Sequence, residues 1–184
     1  MMTYNLNWLL ETIRTDTAVD YLLFWGHQKS KDGTITVSCF SQWWPSPFTV
    51  EGVVYQTAEH WMMAQKALLF KDQVSYQKIV EAGSPKEAKA LGRGVQNYED
   101  ALWTEKRFEI VVAGNMHKFS QDDGLAAFLH STGTKVLVEA SPVDPIWGIG
   151  LSADSPKAQD PTQWNGLNLL GFALMAVRDR LENR

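Results

Sequence analysis

The stretch YQTAEHWMMAQKALLF, residues 55–70, sets a carboxylate, Glu59, and an amine, Lys66, in an otherwise almost wholly apolar run. On a helical wheel at about 100° per residue, seven positions bring the two within about 20° of one another, with an axial offset of about 10 Å. They share a face with Met62, Met63, Leu69 and Phe70, while Trp61, Ala64 and Leu68 take the opposite one. A helix that is apolar all round is a buried helix. Charges buried there need a partner or a use. The offset is too long for a simple direct ion pair. Either each charge meets a structural partner from another element, or the two bracket a cavity in which they do chemistry. The wheel alone does not choose between these.

A second constellation is VDPIWGIG, residues 143–150. Asp144 precedes a proline and is therefore extended or in a turn. Trp147 is followed by Gly148 and Gly150, which allow close backbone approach. An aspartate beside an aromatic plate in a glycine loop suits a planar polar ligand; a proline-glycine turn with a packed tryptophan is the plainer explanation. Arg93, at a helix end in LGRG, could grip phosphate or carboxylate, or cap a last-turn carbonyl. Trp103, early in its helix, reads as core, and Lys118 in MHKF as a solvated helix residue. The four histidines show no metal-ligand spacing and read as structural.

These residues must be positioned by the rest of a chain of 184 residues, which favours one domain. Residues 5–14 read as a short helix, and 21–25 and 34–40 as strands. Residues 43–47 form a proline-punctuated loop, and 48–55 a hairpin turning near Glu51-Gly52. Helices dominate from there. Thr57 caps the apolar segment, and Asp72 opens a helix that ends near Gly83. SPKE, residues 84–87, carries a cap, a proline at the first helical position and a capping-box glutamate, and its helix should stop at LGRG. Further helices are expected over 100–119 and 122–131, a strand over 135–140, a long irregular stretch over 141–165 and a closing helix over 167–182. The expected fold is α+β: a mostly α-helical single domain with a small β-sheet, residues 21–184, preceded by an N-terminal helical extension over 1–20.

Composition excludes several classes. A net charge of −4 leans away from a nucleic-acid coat or a polybasic membrane binder, while leaving room for a local basic patch. Cys39 is the only cysteine, so no intramolecular disulfide can form and a cytoplasmic setting is expected. Residues 1–16 have no basic start or long apolar run, so no signal peptide is expected. CxxC, HExxH, Walker and GxGxxG motifs are absent from the sequence, which leaves zinc or dinucleotide-fold chemistry without support. Of eight tryptophans, most should pack, and one or two could meet a flat aromatic ligand.

Taken in order, FW at Phe24-Trp25, FSQW at 40–43, the 55–70 segment, SPKEAKALGR, LW at Leu102-Trp103, KF at Lys118-Phe119, TGTKVLVEAS, DPIWGIG and NGLNLLGFALMAVRDRL resemble the NADAR (YbiA-like) family of N-glycosidases. The resemblance covers roughly residues 21–181. It departs at Gln42, where the family usually has asparagine after Phe-Ser, and over 151–163, which is longer than in compact bacterial relatives. The resemblance implies cleavage between ribose and an amine, with no cofactor and no metal. The implied substrates are riboflavin-pathway ribosylamino-pyrimidine phosphates or ADP-ribosylated guanine, and no membrane partner is implied. It places the family's proposed catalytic glutamate, lysine and aspartate on Glu59, Lys66 and Asp144, and its tryptophan on Trp103. The expected substrate-binding set is Trp103, Trp147, Arg93, Phe24, Trp43 and Gly148. Lys66 would then attack C1 and form a Schiff base. The alternatives are direct hydrolysis, with a carboxylate activating water, and a non-catalytic module binding ADP-ribose or a related nucleotide.

Overall fold

The computed structural model describes residues 4–15 and 18–182; the expected extension over 1–20 and the domain end at 184 fall partly outside the described residues. Among the described residues there are seven α-helices and four short strands, a mostly helical α+β fold. The chain forms two compact units. One combines the segment up to Ser41 with that from Asp123 onward, and the other is Gln42–Asp122.

In the first unit, β1 (Tyr21–Phe24) pairs in parallel with β4 (Val136–Glu139), Tyr21 opposite Val136. Val136, Leu137 and Val138 are all buried, which is why KVLVEA reads as a continuous apolar strand. The last helix, α7 (Leu169–Glu182), packs on β4. Asn168, at φ 53°, clamps the junction: its Nδ2 donates to Leu137 O and its Oδ1 accepts from Glu139 N, both at 2.9 Å. The first helix, α1 (Leu6–Arg14), is capped by Asn5, whose side chain accepts from Trp8 N. It is tied to α7 through the Tyr4 hydroxyl, which donates to Asp179, and through Trp8 edge-on to Phe172. The helix α6 (Asp123–His130) completes this unit.

The strand expected over 34–40 is instead a 3-10 turn, Val37–Phe40. Local polar groups outcompete a ladder here. The Ser38 hydroxyl donates to Gln28 O at 2.8 Å, and Cys39 N closes the turn on Thr36 O.

The second unit opens with the hairpin of β2 (Phe48–Val50) and β3 (Val53–Tyr55). Its turn is at the expected Glu51-Gly52, with both residues at positive φ, 50° and 82°. This is the backbone twist that a two-residue hairpin connection requires. Four helices follow: α2 (Ala58–Leu69), α3 (Gln73–Glu81), α4 (Pro85–Arg93) and α5 (Asp100–Ser120). Thr57, Asp72 and Ser84 cap the first three as expected, each accepting a backbone N–H from three residues on. One detail differs. Glu87 reaches Gly83 N at 2.9 Å, one residue earlier than an ordinary capping box.

The helix α2 is the hub, packed against α3, α4 and α5. Two glycines let its partners come close. A Cβ on Gly92 of α4 would stand 2.1 Å from Met63 Sδ, and one on Gly114 of α5 would stand 2.3 Å from Trp61 Cδ1. The Trp61 indole lies across Gly114 and donates to Ile110 O at 2.8 Å. Burial all round holds for α2 only through its first two turns. Residues 58–64 are buried, whereas Lys66 is half-buried and Leu68 is 40% exposed. Among the described residues, no helix is long and apolar enough to cross a membrane.

Candidate active site

Lys66 lies in the last turn of α2, where the helix emerges from its neighbours. Its Nζ donates to Gly92 O at 2.8 Å. Two aromatic faces flank it, Tyr98 at 4.4 Å and Trp103 at 5.6 Å from the ring centroids. Burial alone pulls its pKa below the ordinary lysine value. The arrangement follows from sequence through packing. Gly92 has no side chain, so α4 can seat against Met63, and this close approach presents the Gly92 carbonyl to Lys66. Trp103, in the first turn of α5, is 8% exposed, so it is a core residue that also walls the amine.

Glu59 lies in the first turn of α2 and is 2% exposed. Seven residues separate it from Lys66, an axial rise of about 10 Å. Its N–H donates to Gln42 O at 3.0 Å. Gln42 is itself buried, and its Oε1 accepts from Asn115 Nδ2 of α5, which also donates to Val111 O, both at 2.9 Å. Gln42 thus ties the start of α2 to α5 through both its main chain and its side chain. Lys118 is not a solvated helix residue. It is 1% exposed, because it continues the buried stripe of α5 that runs through Val111 and Asn115.

His60 is structural. Its Nε2 donates to Ala82 O at 3.1 Å, its Nδ1 faces the Thr57 hydroxyl at 2.8 Å, and burial lowers its pKa. Trp43 is half-buried and lines a cavity of about 580 Å³ with Thr57, His60, Ser84 and Pro85, at the end of α2 away from Lys66. Arg93 is exposed in the last turn of α4.

Asp144, Trp147, Gly148 and Phe24 belong to the first unit. Asp144 Oδ1 accepts from Ile146 N at 2.9 Å and Trp147 N at 2.8 Å, so this carboxylate organises its own turn. Trp147 is half-buried, and its carbonyl receives Leu170 N at the start of α7. Gly148 is buried where a Cβ would meet Glu139 O at 2.8 Å. Phe24 is 2% exposed and packs edge-on to Phe40.

Sequence reasoning missed Tyr98 and Gly92 as neighbours of the lysine. Tyr98 sits between α4 and α5, where no periodicity marks which way a side chain faces. Its position is set by its hydroxyl, which donates to Asp100 Oδ1 at 2.8 Å, and by edge contact with Phe70 at 5.3 Å. Among the described residues, no three His, Cys, Asp or Glu side chains gather as a metal ion would need.

The NADAR domain matches residues 23–182 of the chain. The chain belongs to the NADAR family. A protein of Acanthamoeba polyphaga mimivirus named N-glycosidase R617 is 43% identical over 164 residues, covering 86% of this chain and 95% of that one. N-glycosidase Npun_R5314 of Nostoc punctiforme is 34% identical, covering 79% of this chain and 86% of that one. The NMR structure of Escherichia coli YbiA superposes with a TM-score of 0.69 at 27% identity, covering 91% of this chain and 88% of that one. With these NADAR relatives the chain is placed as an N-glycosidase, a hydrolase acting on N-glycosyl compounds.

Proposed function

We propose that this NADAR protein cleaves the bond between ribose C1 and an exocyclic amine, with Lys66 as the nucleophile. The observation that carries this reading is the setting of Lys66. It is a half-buried amine with its pKa lowered by burial, held by one carbonyl and flanked by two rings. A lysine desolvated in this way reaches its free-base form closer to neutral pH than a surface lysine does.

The steps balance without a cofactor. The glycosylamine ring opens to an imine at C1. The neutral Lys66 amine adds to C1, forming a gem-diamine in which C1 carries both nitrogens. Proton transfer from the Lys66 nitrogen to the exocyclic nitrogen expels the base as a neutral amine and leaves a Lys66 Schiff base; a part for Glu59 in moving this proton rests on the family resemblance. Water adds to that Schiff base and releases the sugar as an aldehyde, which regenerates the amine. Trp103 walls the amine, and Arg93, exposed at the end of α4, binds substrate phosphate. The binding roles of Phe24, Trp43, Trp147 and Gly148 are expectations from the sequence, and the proton-moving role of Asp144 rests on the family resemblance.

The substrate we favour is a ribosylamino-pyrimidine phosphate. A Vibrio vulnificus relative named riboflavin biosynthesis protein VVA0006 supports this choice; it is 31% identical, and the match covers 35% of its length. ADP-ribosylated guanine offers the same C1–amine linkage and is the second substrate to assay. Each is offered to the wild type and to Lys66→Ala, with products read by mass spectrometry. Cleavage by the wild type that is lost in the variant supports the reading. Full activity of a folded Lys66→Ala overturns the covalent route in favour of a carboxylate-activated water.

A further inference from the structure

We infer that Tyr98 is a positioning residue for Lys66, its ring face holding the amine at the point where C1 must arrive. This inference rests on the nucleophilic role of Lys66 proposed above.

The Tyr98 ring is the nearer of the two aromatic faces around Nζ, at 4.4 Å against 5.6 Å for Trp103. It is fixed from two sides. At one end its hydroxyl donates to Asp100 Oδ1 at 2.8 Å, in the first turn of α5. Beside it lies Phe70, the residue that ends α2, with ring centroids 5.3 Å apart at 62°. The ring therefore bridges the end of the helix that carries the nucleophile and the start of the helix that carries Trp103. Lys66 has a long, freely rotating side chain, and its hydrogen bond to the Gly92 carbonyl fixes only one direction. A ring face beneath Nζ supplies the second constraint, and the π face attracts the ammonium. Tyr98 is 43% exposed, so it contributes little to the core, and a structural role alone does not explain its anchoring at both ends.

The ring makes two opposed contributions. It favours the ammonium over the free amine, and it keeps the side chain aimed. Its removal should make Lys66 more reactive toward a small electrophile while making it less effective on substrate. A general loss of folding would not produce this split.

The test uses the full chain and two variants, Tyr98→Leu and Tyr98→Phe. Acetylation of Lys66 by acetic anhydride is measured by mass spectrometry without substrate, against Lys71 and Lys89 as internal references. In parallel, kcat is measured on the substrate that the wild type cleaves. A cation–π contact corresponds to a factor of roughly 2–5. Tyr98→Leu is expected to acetylate Lys66 about 2–5-fold faster with the reference lysines unchanged, and to lower kcat by at least the same factor. Tyr98→Phe is expected to restore both values to within about twofold of wild type. Unchanged Lys66 acetylation in Tyr98→Leu overturns the inference. So does a Tyr98→Phe variant as impaired as Tyr98→Leu, since the hydroxyl rather than the ring face would then be responsible. The acetylation arm needs no turnover. If Lys66 proves dispensable for catalysis, that defeats the proposed mechanism but leaves the Tyr98–Lys66 contact separately measured.

Discussion

Replacing Gly92 with alanine tests how packing builds the Lys66 site. The new Cβ would stand 2.1 Å from Met63 Sδ, 2.7 Å from its Cγ and 3.0 Å from its Cβ, and Met63 is only 7% exposed. Alanine gains about 1 kcal/mol over glycine in a helix interior. Overpacking a filled contact costs about 1–3 kcal/mol. The net expectation is a loss of about 0–2 kcal/mol, too little to unfold a domain of ordinary stability. The functional loss should be larger. The Gly92 carbonyl lies 2.8 Å from Lys66 Nζ, and a shift of α4 by about 1 Å would misplace the amine, at a cost of up to about a hundredfold in kcat/KM. Met63→Ala alone should cost about 2–5 kcal/mol by leaving a cavity. Combined, the two should cost less than their sum, because the added methyl fills part of that space. Urea unfolding of both single variants and the double variant measures the coupling, expected at about 1–2 kcal/mol. Strict additivity to within about 0.5 kcal/mol would refute the reasoning, and so would a Gly92→Ala variant with wild-type kcat/KM.

Three other outcomes can be measured on the same material. Gly114→Ala drives a methyl into the rigid Trp61 indole, 2.3 Å from Cδ1 and 2.8 Å from Nε1. It should destabilise by about 2 kcal/mol in urea, at the top of the range for Gly92→Ala, because a ring cannot fold away as a methionine chain can. His60 is buried neutral with its pKa lowered from 6.5, so the unfolded chain binds its proton first as pH falls. Wild-type Tm should therefore drop relative to His60→Gln as pH is lowered below about 6.5, with the loss levelling off below the folded-state pKa; parallel Tm curves for the two proteins would contradict this. Asp144→Asn keeps an oxygen acceptor for the Ile146 and Trp147 amides, so it should fold with a near-native Tm. Its kcat then reports whether the carboxylate charge does more than hold its turn: a loss of tenfold or more, on a folded protein, assigns it a part in the chemistry.

The features legible in the sequence were those set by local rules. Thr57, Asp72 and Ser84 announced their helices because a cap is a residue type at a fixed offset. Glu51-Gly52 announced its hairpin because few residues tolerate positive φ. The segment over 34–40 was misread because β-branched residues suggest a strand, whereas Thr36, Ser38 and Gln28 satisfy one another locally. Lys118 was misread because a lone lysine says nothing of its face until the stripe with Val111 and Asn115 is known to be buried. At the site, Glu59 and Lys66 stood out as charges in an apolar helix. Their surroundings did not: Gly92 and Tyr98 lie 26 and 32 residues beyond Lys66, and only the packing of α2 on α4 and the return into α5 bring them to it.

The central claim is that Lys66 forms a covalent Schiff base with the sugar during cleavage of a C1–amine bond. Borohydride added during turnover, followed by peptide mass spectrometry, tests it most directly. The account predicts a reduced sugar adduct on Lys66, dependent on substrate and absent from Lys66→Ala. Sustained cleavage with no adduct on Lys66 would contradict it.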